Sequence, residues 1–228
     1  MKIYRILSAL LSYPQPDLIA AVPEIEEALA EGEGGQLRLA MLEPLLTYLQ
    51  AEPLITLQEN YVATFDRTPS QALHLFEHIH GESRDRGQAM VDLIEEYRAH
   101  GFEPEVNELP DFVPLFLEFL SLTSPDDANR LLGDAIHVLA AIGVRLQRND
   151  SPYSVIFEML TTLTDVVPRE QDDPPVRDMD EAMETFGPGA DGVEPLLRPQ
   201  TAASQVVNFY PRQAKSAMHL ASVQQKVS

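Results

Sequence analysis

Two stretches of this sequence hold residue types that could do chemistry. The first is His74-Leu75-Phe76-Glu77-His78, which fits the H-x-x-E-H arrangement of inverted zinc proteases. On a helix, residues four apart share a face, so both imidazoles would bind one metal while Glu77 acts as general base of a zinc-dependent hydrolase. A third ligand would come from a downstream acid such as Asp92, Glu95 or Glu96. Against this stands a simpler assignment, in which His74 and His78 are half-buried or solvated while Leu73 and Phe76 face a core. Three fixed positions arise often by chance in an acid-rich helical chain, and the simpler assignment is preferred. The second stretch, Phe76 to Met90, crowds His, Glu, Ser, Arg and Asp into a junction between two helices, and connections on a rigid scaffold commonly carry binding residues. Ser83 or Asp85 would cap the following helix, and Arg84 or Arg86 would pair with nearby acids. That leaves more polar residues than local structure requires.

No other active-site pattern is present. The chain has no Gly-rich loop followed by Lys-Ser or Lys-Thr and no Gly-x-Ser-x-Gly elbow. Paired acids such as Glu95-Glu96 and Asp126-Asp127 read as solvated helix faces. The absence of cysteine excludes disulfides, thiolate metal sites and a cysteine nucleophile.

The elements that must position these residues are helices. Apolar residues recur at helical spacing almost throughout, and no long stretch alternates as a half-buried strand would, so the fold class is all-α. Ile3, Leu7, Leu10 and Leu11 form a stripe stopped at Tyr13-Pro14. Asp17 is placed to cap a segment carrying Leu18, Val22, Ile25 and Leu29, and Gly32 to Gly35 forms a connector. Leu37, Met41, Leu45 and Leu49 continue the period, with Pro44 expected to bend or shorten their helix. Leu57, Tyr61 and Phe65 make the next stripe. Ser70 or a neighbour is expected to start a helix through Leu73, Phe76 and His80, and Met90, Leu93, Ile94 and Tyr97 mark another that Gly101 ends. Pro114 belongs in a first turn, which sets a helix start close to Asp111. Ser124-Pro125-Asp126-Asp127 opens the longest helix, and a last one follows Ser151-Pro152.

At 228 residues, 44% of them hydrophobic, the chain exceeds the usual ~100–200 residues of one domain only modestly. The expected organisation is one multi-helix globular domain over 1–165 and a poorly ordered Pro/Gly-rich, acidic tail over 166–228, with a short helix near Met179 to Phe186. The N-terminal residues lack the apolar core and cleavage site of a signal peptide, and no run approaches the ~18–20 apolar residues of a membrane span. A cytoplasmic protein without direct membrane insertion is expected. The net charge is −20. Residues 1–165 hold 27 acids against 10 bases, a net of −17, whereas residues 199–228 hold three bases and no acid. Such a field repels nucleic acid and favours basic partners.

F-E-H-I-H-G-E-S-R-D-R-G-Q-A-M at Phe76 to Met90, followed by L-P-D-F-V-P-L-F-L-E-F-L at Leu109 to Leu120, resembles the NarJ family within the wider TorD/DmsD group. The resemblance spans roughly Lys2 to Thr164. It implies an all-helical, non-catalytic chaperone without a resident cofactor. Such a chaperone binds the apo catalytic (alpha) subunit of respiratory nitrate reductase in the cytoplasm and supports molybdenum cofactor insertion before membrane attachment. Cofactor-biosynthesis proteins would be further partners. The wider group's motif runs Glu-Pro-x-Asp-His. This chain supplies Glu108 and Asp111 but has Leu109-Pro110 in place of Pro first and Phe112 in place of His. The expected client-binding residues are His78, His80, Glu82, Arg84, Asp85, Arg86, Glu108, Asp111, Pro114 and Glu118, facing a basic amphipathic N-terminal segment of the client. An acidic helical adaptor for another client is the remaining alternative.

Overall fold

A computed structural model of the chain describes residues 2–80, 84–104 and 108–169. Among them the architecture is α-helical without a strand, as the periodicity predicts, and no helix is long and apolar enough to cross a membrane. The elements are α1 (Lys2–Leu10), α2 (Pro16–Ala30), α3 (Gly35–Ala51), α4 (Leu54–Tyr61), α5 (Leu75–His80), α6 (Arg84–Ala99), α7 (Val113–Leu122), α8 (Pro125–Arg148) and α9 (Ser154–Thr161). α1 packs along α7, α2 along α3, and α9 lies against both α3 and α8. Leu7, Leu10, Leu45, Leu49, Leu117, Leu120, Leu139, Ile142 and Leu160 are wholly buried in the shared core. Each such side chain contributes roughly 1.5–3 kcal/mol relative to exposure, so the packed apolar stripes hold helices that would be marginal alone.

Several local expectations change. Asp17 does not cap α2. Gln15 occupies the N-cap, Pro16 opens the helix and Asp17 sits in its first turn, where its charge still favours the helix N-terminus. Pro44 does not shorten α3, which runs through it to Ala51. Pro44 and Ala40 are both exposed, so the carbonyl that loses its partner four residues back is left to water. The stripe through Leu57, Tyr61 and Phe65 is buried as expected, but its last turn widens into a π-helical segment, Val62–Asp66, closed by Arg67 N–H on the Val62 carbonyl at 3.0 Å.

Ser124 is the N-cap of α8, its hydroxyl oxygen accepting from the Asp127 N–H at 3.2 Å. The Ser124 hydroxyl donates in turn to the Asp127 carboxylate at 2.6 Å and is the main reason that acid lies below its ordinary pKa. At its other end α8 closes with the paired bonds of a Schellman motif. Ser151 N–H donates to the Leu146 carbonyl at 2.9 Å and Asp150 N–H to that of Gln147 at 3.1 Å. This places Asp150 at φ 52°, where glycine is the usual occupant because a Cβ crowds the backbone. Asp150→Gly is therefore expected to stabilise the chain by about 0.5–1 kcal/mol, read as a Tm rise of roughly 1–4 °C in thermal unfolding.

The described part of the expected tail is short. Val166 approaches Gly133 of α8, and Arg169 N–H donates to His137 Nδ1 at 3.1 Å. The expected helix near Met179 to Phe186 and the basic C-terminal end lie outside the described residues.

Candidate functional site

α5 has only six residues, too few to persist without tertiary support, and the support comes from the other motif segment. Residues 72–74 lie beside the approach to α7, with a bend at Leu73 and an antiparallel bridge between His74 and Phe112. Val113 N–H donates to the Leu73 carbonyl at 2.9 Å, and Leu75 N–H to the Asp111 carbonyl at 3.1 Å. The Asp111 side chain adds a third link, its Oδ2 accepting from Phe76 N–H at 3.0 Å. A residue 35 positions away thus takes two of the first-turn amides that a short helix cannot satisfy internally.

Asp111 is fully buried. Its second oxygen, Oδ1, lies 3.4 Å from His74 Nδ1. That is within ion-pair range but too poorly aligned for a hydrogen bond, and neither atom has a hydrogen-bond partner among the described residues. Below this pair, the Tyr97 hydroxyl of α6 donates to the Pro110 carbonyl at 2.6 Å. Burial first, and the Asp111 charge second, push the Tyr97 phenol above its ordinary pKa, so it stays protonated and keeps donating. Tyr97 also packs on Phe119 at 4.4 Å and Phe102 at 5.5 Å between ring centroids. The segment 109–113 is consequently fastened to α5 on one side and α6 on the other.

His78 is anchored from the opposite direction. Its Nε2 meets the Ala72 carbonyl at 2.8 Å, and Arg145 Nη1 approaches its Nδ1 at 3.4 Å while donating to the Ser70 carbonyl at 3.1 Å. A guanidinium nitrogen only donates, so the Arg145 approach is a hydrogen bond in the tautomer whose Nδ1 accepts and whose Nε2–H donates to the Ala72 carbonyl. Arg145 comes from α8 and is only 9% exposed. Its desolvation is offset by hydrogen bonds into the 70–78 segment.

These positions correct the zinc-site geometry. α5 begins at Leu75, so His74 precedes the helix that would put it on one face with His78. Each imidazole is also turned to a different partner, His74 toward Asp111 and His78 toward Ala72 and Arg145. Among the described residues no cluster of three His or acidic side chains has metal-site geometry. The expectation that a helix starts at Ser70 fails for the same reason, because Pro69–Gln71 form a single 3-10 turn, after which the chain bends at Leu73 before α5.

The expected contact residues divide by burial. Arg84 and Asp85 are exposed in the first turn of α6, as are Glu108 before α7 and Glu118 on it. His80 is partly buried, with its ring 5.9 Å from that of Phe76. His78 and Arg86 are half-buried, and Arg86 Nε is enclosed without a hydrogen-bond partner among the described residues. Asp111 and Pro114 are buried; the Pro114 carbonyl accepts from the Ser8 hydroxyl at 2.7 Å. Glu82 lies outside the described residues. The same segments present Ile79, 53% exposed, and Leu109, 46% exposed. Sequence reasoning set His74 aside and passed over Arg145, and both prove to hold the junction. Spacing offers no cue to either; the only sequence signal for Arg145 is a cation three residues after Ile142, where the helical period turns a side chain inward.

A family model described as nitrate reductase delta subunit matches residues 17–158. The nitrate reductase molybdenum cofactor assembly chaperone NarJ of Escherichia coli K12 is 41% identical over 159 residues, covering 69% of this chain and 67% of that protein. The probable assembly chaperone NarW of the same strain is 37% identical over 163 residues, 72% of this chain and 68% of the relative. The probable NarJ chaperone of Bacillus subtilis strain 168 is 31% identical over 157 residues, 69% of this chain and 85% of the relative. Matches of this extent, on a helical fold that brings both motif segments into one junction, establish that the chain belongs to the NarJ family of nitrate reductase delta subunit proteins.

Proposed function

We propose that this chain is a non-catalytic cytoplasmic chaperone that binds the apo catalytic subunit of nitrate reductase and supports molybdenum cofactor insertion before the enzyme attaches to the membrane. The observation that carries the site is the clamp at Asp111, which joins two motif segments separated in sequence into one surface. Buried Asp111, Pro114 and His78 form its support. Exposed Arg84, Asp85, Glu108 and Glu118, with His80, offer charge and hydrogen bonds, and Ile79 and Leu109 offer apolar contact; Glu82, outside the described residues, is taken as a further contact on its sequence position alone. A basic amphipathic segment from the client's N-terminus suits such a surface, with apolar anchors for affinity and acids for steering. Holding the client segment away from its folded position keeps the subunit open for the cofactor, and folding around the cofactor releases it.

Titration of the full chain with a peptide from the N-terminus of the nitrate reductase catalytic subunit tests this reading. Saturable one-to-one binding is expected, absent with a scrambled peptide. The paired charge reversals Glu108→Lys and Glu118→Lys should weaken binding about tenfold at low ionic strength, and the deficit should shrink as salt screens it. Equal binding of the scrambled peptide would remove the specific reading. An unchanged affinity in the double variant would move the contact surface elsewhere.

A further inference from the structure

The motif residue that this chain lacks is a histidine. Where the wider group has His directly after the motif Asp, position 112 is Phe. The structure sets another imidazole across from it. His74 and Phe112 are opposite partners in the antiparallel bridge, and partners in such a pair place their side chains next to each other on one face. Their rings lie 5.5 Å apart, tilted by 34°. An imidazole at position 74 thus serves the same side of the junction as one at position 112 would.

The connection to the motif Asp is kept as well. Asp111 Oδ1 lies 3.4 Å from His74 Nδ1, with the carboxylate side chain fully buried and the His74 side chain 28% exposed. Of the two ring nitrogens only Nδ1 is enclosed, so the exposed part of the ring carries Nε2. A carboxylate only accepts, and its approach is therefore attractive in the tautomer whose Nδ1 carries the hydrogen. In that tautomer Nε2 presents a lone pair outward.

Packing does not account for this arrangement. A phenyl or aliphatic side chain would fill the space beside Phe112 without enclosing a nitrogen that has no hydrogen-bond partner among the described residues, and native proteins seldom keep such groups without a use. The Asp111 charge sits behind the ring, in an interior that screens it poorly, and strengthens Nε2 as an acceptor for a cationic donor. Close by, the turn closed by Phe112 N–H on the Leu109 carbonyl at 3.1 Å holds out Leu109, with exposed Glu108 before it.

We propose that His74 is a client-contact residue whose Nε2 accepts a hydrogen bond from a donor of the bound basic segment, supplying from the opposite side of the bridge the imidazole that Phe112 lacks. The contact rests on the client reading above and adds to it a residue that the sequence motif does not mark. Leu109 gives the neighbouring apolar contact and Glu108 the charge at its rim.

The full chain, with its histidines labelled at the ring nitrogens, is titrated by NMR with the N-terminal peptide of the nitrate reductase catalytic subunit. Saturating peptide is expected to shift the His74 Nε2 resonance. His74→Phe should weaken binding about tenfold, the effect of one hydrogen bond to a charged donor. Exchanging the two rings, His74→Phe together with Phe112→His, should return the affinity to within about threefold of the parent chain, a rescue that lost packing alone would not allow. Each titration is run below the onset of unfolding shown by that variant's own Tm. Binding by the parent chain with an unmoved His74 Nε2, unchanged affinity in His74→Phe, or an exchanged chain as weak as His74→Phe would each overturn the contact and leave the client reading standing. A parent chain that the peptide does not saturate would overturn both.

Discussion

Asp111→Ala is expected to destabilise the fold by about 3 kcal/mol, seen as a Tm loss of roughly 6–12 °C. The substitution leaves Phe76 N–H buried without its side-chain acceptor, and a stranded buried donor alone costs ~1–3 kcal/mol. It also removes the group facing His74 Nδ1 at 3.4 Å and opens a cavity beside Tyr97. The Leu75 link survives, because it uses the Asp111 main-chain carbonyl. Asp111→Asn should cost distinctly less, since an amide oxygen can still accept from Phe76. A double-mutant cycle with His74→Ala isolates the side-chain pair, and a coupling below about 0.5 kcal/mol would show that the 3.4 Å approach contributes little. These measurements also separate two roles for Asp111. As a buried support it lowers stability and client affinity together. As a direct contact it would lower affinity while leaving Tm in place, a result that the complete burial of the side chain argues against.

The helical class was legible because each long element repeats its apolar residues at the helical period, although the marked face is not buried throughout: Leu37, on the expected stripe of α3, is 67% exposed. α8 is the clearest case: of its periodic residues Leu131, Ala135, Val138, Leu139, Ile142 and Leu146, all but the half-buried Ala135 are buried, with Leu132 and Ile136 buried beside them, and Ser124 caps the helix as its residue type and position suggest. The short elements were not legible in this way. Six residues of α5 are too few for a period to show, and the bridge at His74 exists because residues 109–113 pair with the 73–75 segment, a contact that local sequence does not encode. Nor does pattern reveal a charged residue turned inward. Asp111 and Arg145 would each be assigned to the surface by type; hydrogen bonds into the 70–78 segment compensate the burial of Arg145, while Asp111 keeps one through Oδ2 and leaves Oδ1 facing His74. Phe112 illustrates the same point from the apolar side. Where the wider group has His, this chain places a ring 5.5 Å from that of His74, so the departure from the motif alters the wall of the junction while the clamp around Asp111 remains.

The second large effect lies at the other anchor. Arg145→Met keeps most of the aliphatic volume but deletes every donor, leaving the Ser70 carbonyl and the His78 Nδ1 lone pair without the guanidinium that faces them. A loss of about 2–4 kcal/mol is expected, in the range for breaking a buried charged network. Arg145→Lys should recover part of it, because both printed contacts are made by one nitrogen, Nη1, and an ammonium keeps the charge and several donors on a single nitrogen while losing the guanidinium's planar placement. The damage should be local before it is global. Amides of the 70–80 segment should lose hydrogen-exchange protection by a larger factor than those of α1 and α3, since Arg145 ties that segment to α8 while the α1–α7 and α2–α3 contacts are made elsewhere. If the junction is where the client binds, affinity for the nitrate reductase peptide should fall in step with that local protection, at temperatures where the fold is still intact. Uniform loss of protection across all helices would instead make Arg145 a general stabiliser of the core, with no special relation to the α5 junction.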